Sequence, residues 1–272
     1  MNITKELKPI KKNYIWGKEA CYGTPDCSNA ILVKHIQTHA ALSLQVHPDN
    51  KYAFNNENKS LGKTEVWLII NAASGAGVYF GFNNSYTKEE IKQFIKDGAL
   101  EKTLTFYPVK TGDIFLVEPG IVHAIGADIE LIETQQNSDI TYRLYDYNRV
   151  DKDGLKRELH LNKALDVVKL NRPETPIARE WLLLKDKAKM RVICKLKEFS
   201  MKEYIVQNTL ALDLSSAQHA IVYILSGNGA IDIGGQKFNY DKNKAFLVSK
   251  KDSDFIIKPN TTTHIIVNKT GE

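Results

Sequence analysis

The chain has 272 residues, of which 43% are apolar and 25% are charged, with a formal net charge of +5. These values are typical of a globular protein that buries a sizeable core. The modest positive charge, with a sequence pI near 8.8, is compatible with small anionic substrates. No basic stripe interleaved with aromatic residues is present, which argues against nucleic acid as a partner.

The N-terminal sequence has no apolar run of signal-peptide length, and no run in the chain approaches the roughly 20 residues that a membrane helix needs. We therefore expect a cytoplasmic protein without a membrane partner. The three cysteines, Cys21, Cys27 and Cys194, are odd in number and do not have the spacing of a zinc knuckle. We interpret them as reduced thiols.

Short runs that alternate apolar and polar residues, separated by Gly, Pro, Asn and Asp, dominate the first half of the chain. They predict strands over 30–37, 41–47, 65–70, 77–82, 113–118 and 129–134. Two helices interrupt the strands. The first is predicted to begin at a capping box formed by Thr87 and Glu90 and to stop at Gly98, and the second is predicted within 159–170.

A segment over 171–186, which contains Pro173 and Pro176, is interpreted as a linker. Beyond it strands are predicted over 191–196, 204–207, 219–225, 230–233, 244–248, 255–257 and 264–267, with a hairpin turn at Gly234-Gly235. His219 and His264 lie in this part without a carboxylate or second histidine at matching spacing, so we interpret them as packed or surface residues. The pattern predicts an all-β sandwich or barrel, followed by a second, smaller β unit.

Short pieces of the first half carry the residue types of a metal site. Gln45 and His47 are two residues apart, as are Lys63 and Glu65, and such pairs on extended strands point to one face. A catalytic zinc site takes three protein ligands and keeps an open position, and imidazole and carboxylate groups suit it. His47, Glu65 and His123 match this set, with Gln45 as a fourth and weaker oxygen ligand.

Two cations accompany these residues. Lys63 and Arg143 would both suit a phosphorylated or enolate-forming substrate beside a metal. For each of them an ordinary ion pair stays open as the alternative. Lys63 has Glu65 as a possible partner, and Arg143 has Asp139 or Asp146.

Together these segments resemble the type I mannose-6-phosphate isomerase family in its short bacterial form. The resemblance is dense from about residue 42 to 165 and weak after 185. It is carried by long motifs, namely LSLQVHPD at 42–49, GKTEVW at 62–67, PGIVHAIG at 119–126 and ETQQNSDITYRLYDY at 133–147, with YIWG at 14–17 and LHL at 159–161.

The resemblance implies an enzyme of the cupin superfamily that interconverts mannose 6-phosphate and fructose 6-phosphate. The implied fold is mainly β, with two cupin-like (jelly-roll) β-barrel units and a few short helices. The expected domains are a metal-containing catalytic domain over 1–170, the linker over 171–186, and a smaller β domain without metal ligands over 187–272. The expected partner is a small-molecule sugar phosphate, with no nucleic acid and no membrane, and the expected assembly is a monomer or weak homodimer.

The resemblance also implies the roles of individual residues. It implies one Zn²⁺ per chain, held by Gln45, His47, Glu65 and His123. Arg143 is the implied catalytic arginine and stabilises an enediolate, with Lys63, Glu133 and Ser43 lining the same pocket. Either Glu133 or Lys63 then moves the proton between C2 and C1, and we favour Glu133 slightly.

The chain departs from the family between Gly17 and Gln45, which are separated by the 27 residues 18–44. Family members place a longer stretch there, so we expect a more open pocket, and the ring-opening group is unassigned. This shortening favours an alternative function, a non-catalytic cupin that binds a sugar or sugar phosphate. A metal-dependent oxygenase is a third hypothesis, since two histidines and one carboxylate also suit non-haem iron.

Overall fold

The computed structural model describes residues 4–23, 31–150, 153–170, 177 and 179–270. These residues form two compact units. The first unit comprises residues 11–20, 35–150, 153–170 and 177, and the second unit comprises residues 4–10, 21–23, 31–34 and 179–270. The prediction of a mainly β chain with a few short helices is confirmed.

The strands follow one another in short steps along the described residues. They are β1 (Lys5–Leu7), β2 (Ile10–Tyr14), β3 (Gly17–Tyr22), β4 (Ile31–Thr38), β5 (Leu44–Val46), β6 (Glu65–Ala72), β7 (Gly77–Phe82), β8 (Leu104–Pro108), β9 (Ile114–Val117), β10 (His123–Ile125), β11 (Ile129–Gln136), β12 (Tyr142–Tyr145), β13 (Leu182–Leu183), β14 (Lys189–Lys195), β15 (Phe199–Val206), β16 (Leu210–Asp213), β17 (His219–Ser226), β18 (Gly229–Ile233), β19 (Gln236–Tyr240), β20 (Ala245–Ser249), β21 (Asp254–Pro259) and β22 (Thr263–Thr270). The α-helices are α1 (Asn50–Asn56), α2 (Lys88–Lys96) and α3 (Leu161–Val167), with 3₁₀ turns at Leu100–Thr103, Lys185–Lys187 and Lys250–Asp252.

Two sheets enclose the core of the first unit. The five-stranded sheet has the order β12-β5-β10-β7-β8, and the six-stranded sheet has the order β2-β3-β4-β11-β6-β9. Apolar side chains from both sheets pack together, among them Trp67 of β6, Phe80 of β7 and Phe115 of β9. Burial of each large apolar side chain stabilises the unit by about 1.5–3 kcal/mol.

Helices cover the other face of the five-stranded sheet. Leu44 and Val46 of β5 pack there with Ile91 of α2 and Leu165 of α3. The cover follows from the alternation of β5, because Leu44 and Val46 point to the helices while Gln45 between them points to the opposite face. A polar residue of β5 is thereby directed between the two sheets.

The predicted helix start at Thr87 is confirmed. The Thr87 side chain accepts from the backbone N–H of Glu90, and the Glu90 carboxylate accepts from the backbone N–H of Thr87. Helix α2 ends at Lys96, and Gly98 adopts a φ of +64° just beyond it. A left-handed residue at this position is a common helix stop, and glycine adopts it without strain.

The second unit contains a seven-stranded sheet, in the order β1-β20-β17-β22-β15-β14-β13, and a four-stranded sheet, in the order β16-β21-β18-β19. Its core includes Val222, Ile231 and Phe255. The predicted hairpin is present, because Ile233 pairs with Gln236. Gly234 and Gly235 have φ values of +54° and +87°, as a type I′ turn requires.

Pairing of β1 with β20 explains why the start of the chain groups with the second unit. Lys5 lies opposite Leu247 and Leu7 opposite Ala245. The predicted domain boundaries stay a prediction, and the contact-based units do not follow a simple division along the chain. Of the predicted linker, residues 171–176 and 178 lie outside the described residues, while Leu182–Leu183 forms a strand paired with β14.

Some sequence predictions concern residues that are not described. Cys27 and the first residue of the strand predicted over 30–37 lie outside the described residues. Cys21 and Cys194 are free thiols. Within the described part of the chain, no helix combines the length and the apolar character needed to cross a membrane.

Candidate metal centre

Strand β5 lies between two strands that carry predicted site residues. Gln45 is opposite His123 of β10 on one side and opposite Arg143 of β12 on the other. Residues directly opposite each other in an antiparallel pair have their side chains on the same face. The five-stranded sheet therefore presents His123, Gln45 and Arg143 as one row.

The six-stranded sheet supplies a second row. In the pairing of β6 with β11, Glu65 lies opposite Gln135 and Trp67 lies opposite Glu133. Positions two apart on a strand share a face, so these four side chains lie on the same side of the sheet. The two rows bring together His47, Glu65 and His123, whose possible ligand atoms all lie within 4.8 Å of one another.

The carboxylate of Glu65 lies between the two imidazoles. Its Oε1 is 3.4 Å from His123 Nε2, and its Oε2 is 3.5 Å from His47 Nε2. Glu65 is fully buried, yet Oε1 accepts no hydrogen bond from any described residue. A buried carboxylate oxygen without a donor is costly. Its position beside two imidazole nitrogens fits a metal ion, which would satisfy all three groups.

Backbone carbonyl groups orient both imidazoles. His47 Nδ1 donates to the carbonyl oxygen of Ile140 at 2.8 Å, and His123 Nδ1 donates to that of Ile121 at 2.9 Å. These bonds leave the Nε2 lone pairs directed at Glu65. Burial lowers the pKa of His123, and burial together with the charge of Lys63 lowers that of His47 well below its ordinary value. Both rings are therefore neutral, as metal ligands must be.

The ammonium group of Lys63 lies among the same atoms. Lys63 Nζ is 2.7 Å from Glu65 Oε2 and 3.4 Å from His47 Nε2. The ion pair that the sequence left open for Lys63 is thus present. Burial raises the pKa of Glu65, but the charges of Lys63 and the two imidazoles outweigh this effect and lower it to about 2. The site holds a permanent negative charge and favours positive charge beside it.

Gln45 and Ser43 border the ligand atoms. Gln45 Nε2 is 3.4 Å from His123 Nε2, and the Ser43 hydroxyl donates to Gln45 Oε1 at 3.3 Å. A half-turn of the amide group exchanges its oxygen and nitrogen, and would present an oxygen ligand to the site. The structure brings Gln45 to the predicted ligands, and its role as a ligand stays a prediction.

Arg143 does not form the ion pairs that the sequence offered as the alternative. Within the described part of the chain, Asp146 pairs with Arg149 and Arg157, each at 2.5 Å, and no ion pair joins Arg143 to Asp139 or Asp146. The Nε atom of Arg143 is buried and has no partner among the described residues. This guanidinium is consequently available to a ligand.

Sequence reasoning missed two features of this site. Trp67 Nε1 donates to Glu133 Oε2 at 2.9 Å, and the Trp67 ring packs edge-on against the His123 ring at 5.4 Å. Gly62 is required by close approach, because a Cβ there would lie 2.4 Å from the backbone carbon of Asp49. The motif around residues 62–67 contained both residues, but only the strand register shows what they contact.

Comparison with known proteins places these observations in a family. No protein-family model matches the sequence. A mannose-6-phosphate isomerase of Streptococcus mutans serotype c is 34% identical over 253 residues, which cover 93% of this chain and 75% of that protein. The chain belongs to the mannose-6-phosphate isomerase family. The resemblance drawn from the motifs is therefore confirmed.

Other relatives agree with this assignment. Mannose-6-phosphate isomerase ManA of Bacillus subtilis is 48% identical over 140 residues, which cover 52% of this chain and 44% of that protein. The crystal structure of mannose 6-phosphate isomerase from Bacillus subtilis matches with a TM-score of 0.87 and 25% identity, over 97% of this chain and 99% of that chain. The R274A mutant of phosphomannose isomerase from Salmonella typhimurium shares the fold, with a TM-score of 0.75 at 11% identity.

Proposed function

We propose that this chain is a zinc-dependent aldose–ketose isomerase that interconverts mannose 6-phosphate and fructose 6-phosphate through an enediolate. The observation that carries the proposal is the buried Glu65 carboxylate, whose Oε1 has no donor among the described residues although two neutral imidazoles lie beside it. Arg143 stands in the adjacent row on β12. The names of the family relatives indicate the substrate.

The zinc ligands in this proposal are Gln45, His47, Glu65 and His123. Two histidines and a carboxylate form a ligand set typical of catalytic zinc, and the amide oxygen of Gln45 is a weaker fourth ligand. When bound, zinc polarises the substrate carbonyl or orients the substrate hydroxyl groups. The hydrogen bonds from His47 to Ile140 and from His123 to Ile121 hold the rings in the required orientation.

Glu133 is our proposed proton carrier. In the direction from aldose to ketose it takes the proton from C2, and the same group returns that proton to C1 after the enediolate has formed. Trp67 fixes its Oε2, and its Oε1 lies 4.0 Å from Lys63 Nζ. Lys63 is the weaker candidate because its ammonium already pairs with Glu65 at 2.7 Å.

Arg143 stabilises the enediolate in this proposal. Its guanidinium stays protonated throughout the working pH range, so it offers a fixed positive charge where negative charge develops. The buried Nε has no other partner among the described residues, which favours a contact with the substrate. Ser43 and Lys63 line the same pocket.

A coupled assay for fructose 6-phosphate formation tests the proposal, run on zinc-loaded protein with and without chelator, alongside metal analysis. We expect turnover of mannose 6-phosphate that chelator abolishes and zinc restores. Absence of turnover on any hexose phosphate would contradict it. Binding of the sugar phosphate without turnover would support the non-catalytic cupin, and bound iron with oxygen uptake would support the oxygenase.

Arg143→Ala tests the role of the arginine. We expect kcat to fall by about 100-fold or more, as for the loss of a preorganised oxyanion donor, with zinc retained. The matched control is Lys110→Ala, since the Lys110 side chain is 84% exposed and pairs only with Asp113 in the described residues. Unchanged activity of Arg143→Ala would show that the assigned role is wrong.

A further inference from the structure

Arg143 lies on an edge strand, beside an irregular point of its ladder. Strand β12 is the outermost strand of the five-stranded sheet, with β5 as its neighbour. The register of this pair shifts between Arg143 and Tyr145. The backbone at Arg143 therefore has no second strand beside it and no regular ladder after it. An edge strand of this kind needs another support to keep its side chains in place.

His160 occupies the position of the missing strand. The backbone N–H of Arg143 donates to His160 Nδ1 at 3.3 Å, and the backbone N–H of His160 donates to the carbonyl oxygen of Arg143 at 2.8 Å. His160 is also the residue that precedes α3, and its carbonyl oxygen accepts from the N–H of Ala164 at 2.9 Å. One residue fixed to α3 thus binds both backbone polar groups of Arg143.

The ring of His160 accepts a hydrogen bond only in its neutral form. An acceptor Nδ1 carries no proton, so the proton of the ring lies on Nε2. The charged and titratable groups that face the ring are Arg143 and Tyr142 of β12, Lys163 of α3, Glu57 at the end of α1, and Glu158, whose Oε2 is 3.9 Å from His160 Nε2. Burial lowers the pKa of His160, and the charge of Arg143 lowers it further.

We propose that His160 is a positioning residue for Arg143. It holds the backbone of the edge strand beside the bulge, so that the guanidinium stays in the row with Gln45 and His123, and it does so with a neutral ring. This inference rests on the proposed function, because it assigns His160 a role through the action of Arg143 on the substrate. His160 itself touches neither the substrate nor the metal ligands in this proposal.

Two substitutions at residue 160 test the inference. His160→Ala removes the acceptor, whereas His160→Asn restores an acceptor oxygen without a titrating ring. We expect kcat of His160→Ala to fall by about 10- to 100-fold, as for a misplacement of a reacting group by about 1 Å. KM and bound metal are expected to stay within about twofold of the wild type, and His160→Asn to recover most of kcat. The control is His39→Asn, an exposed histidine of the same unit.

A double-mutant cycle separates positioning from a direct role. Because His160 acts through Arg143, the variant with both Arg143→Ala and His160→Ala is expected to be no slower than Arg143→Ala alone. The wild type is also expected to lose kcat per bound metal toward acid pH more steeply than His160→Asn. If His160→Ala does not fold, this pH comparison decides, and identical profiles would overturn the role of His160.

The outcomes distinguish the two proposals. A wild type that isomerises mannose 6-phosphate, with wild-type kcat in His160→Ala or a further loss in the double variant, overturns the role of His160 and leaves the proposed function standing. A wild type without isomerase activity overturns the proposed function itself.

Discussion

Buried hydrogen bonds to single groups set the geometry around the candidate metal centre. Glu133 Oε2 accepts from Trp67 Nε1 at 2.9 Å, and the Trp67 side chain is almost fully buried. A hydrogen bond to the charged form of a carboxylate stabilises that form and fixes its orientation. Trp67 therefore acts on Glu133 in the way that outer partners orient the ligands of a metal.

Trp67→Phe tests this contact. The substitution keeps an aromatic ring against His123 and removes the N–H donor. We expect a loss of about 1–3 kcal/mol in the free energy of unfolding, because a buried acceptor loses its partner. We also expect kcat to fall by about 10-fold, the lower end of the effect of such outer partners. Urea unfolding and the isomerase assay measure the two effects.

Trp16→Phe is the matched control. Trp16 is also buried, and its indole N–H makes no hydrogen bond to a described residue. A loss of kcat in Trp16→Phe equal to that in Trp67→Phe would show that the effect comes from packing and not from the bond to Glu133.

Helices and strands followed local signals where those signals were complete. The strand over residues 77–82 agrees with its prediction at both ends, and α2 begins at the predicted capping box. Helix α1 was not predicted, because it has only seven residues and a single buried one, Ala53, so it shows no helical periodicity. Its start depends on Asp49, whose side chain accepts from the N–H of Tyr52 at 2.7 Å.

Thr87→Ala tests the start of α2. The substitution removes the acceptor for the N–H of Glu90, and the free energy of unfolding is expected to fall by about 1 kcal/mol. Urea unfolding followed by circular dichroism measures it. Lys92→Ala, on the exposed face of the same helix, should change stability by about 0.5 kcal/mol or less. Equal effects of the two variants would contradict the importance of the cap.

A buried ion network links three strands of the second unit. Glu203 of β15 pairs with Arg191 of β14 and with His264 of β22. Burial raises the pKa of Glu203, but the bonds and charges of His264 and Arg191 outweigh it and lower the pKa overall. The sequence interpretation of His264 as a packed residue agrees with this contact. The network stabilises the unit while Glu203 is ionised.

The pH dependence of this unit follows from the sign of the shift. The folded pKa of Glu203 lies below its unfolded value of about 4.3, so its contribution is complete above that pH and is lost as the pH falls through the folded pKa. We expect amide protection factors in β14 and β15 to fall over this acid range. In Glu203→Gln they should be lower at pH 7 and less dependent on pH.

Asp241→Asn is the control for this effect, since Asp241 is an exposed carboxylate of the same unit. Its protection factors should follow those of the wild type at every pH. If Glu203→Gln showed the same acid dependence as the wild type, Glu203 would not be the group that controls the stability of these strands.

The sequence by itself determined the residue types of the site and the faces that they share. Spacing of two between Gln45 and His47, and between Lys63 and Glu65, is a local property, because side chains alternate along any strand. The long motif around Arg143 added the family. These signals were sufficient to predict a mainly β chain and the group His47, Glu65 and His123.

Only the tertiary structure decided which strands lie side by side. The position of β5 between β10 and β12 places His123 and Arg143 on either side of Gln45, and the pairing of β6 with β11 places Trp67 against Glu133. The same holds for His160 beside Arg143. Strand partners and register depend on packing between residues distant in the chain, and no local pattern specifies them.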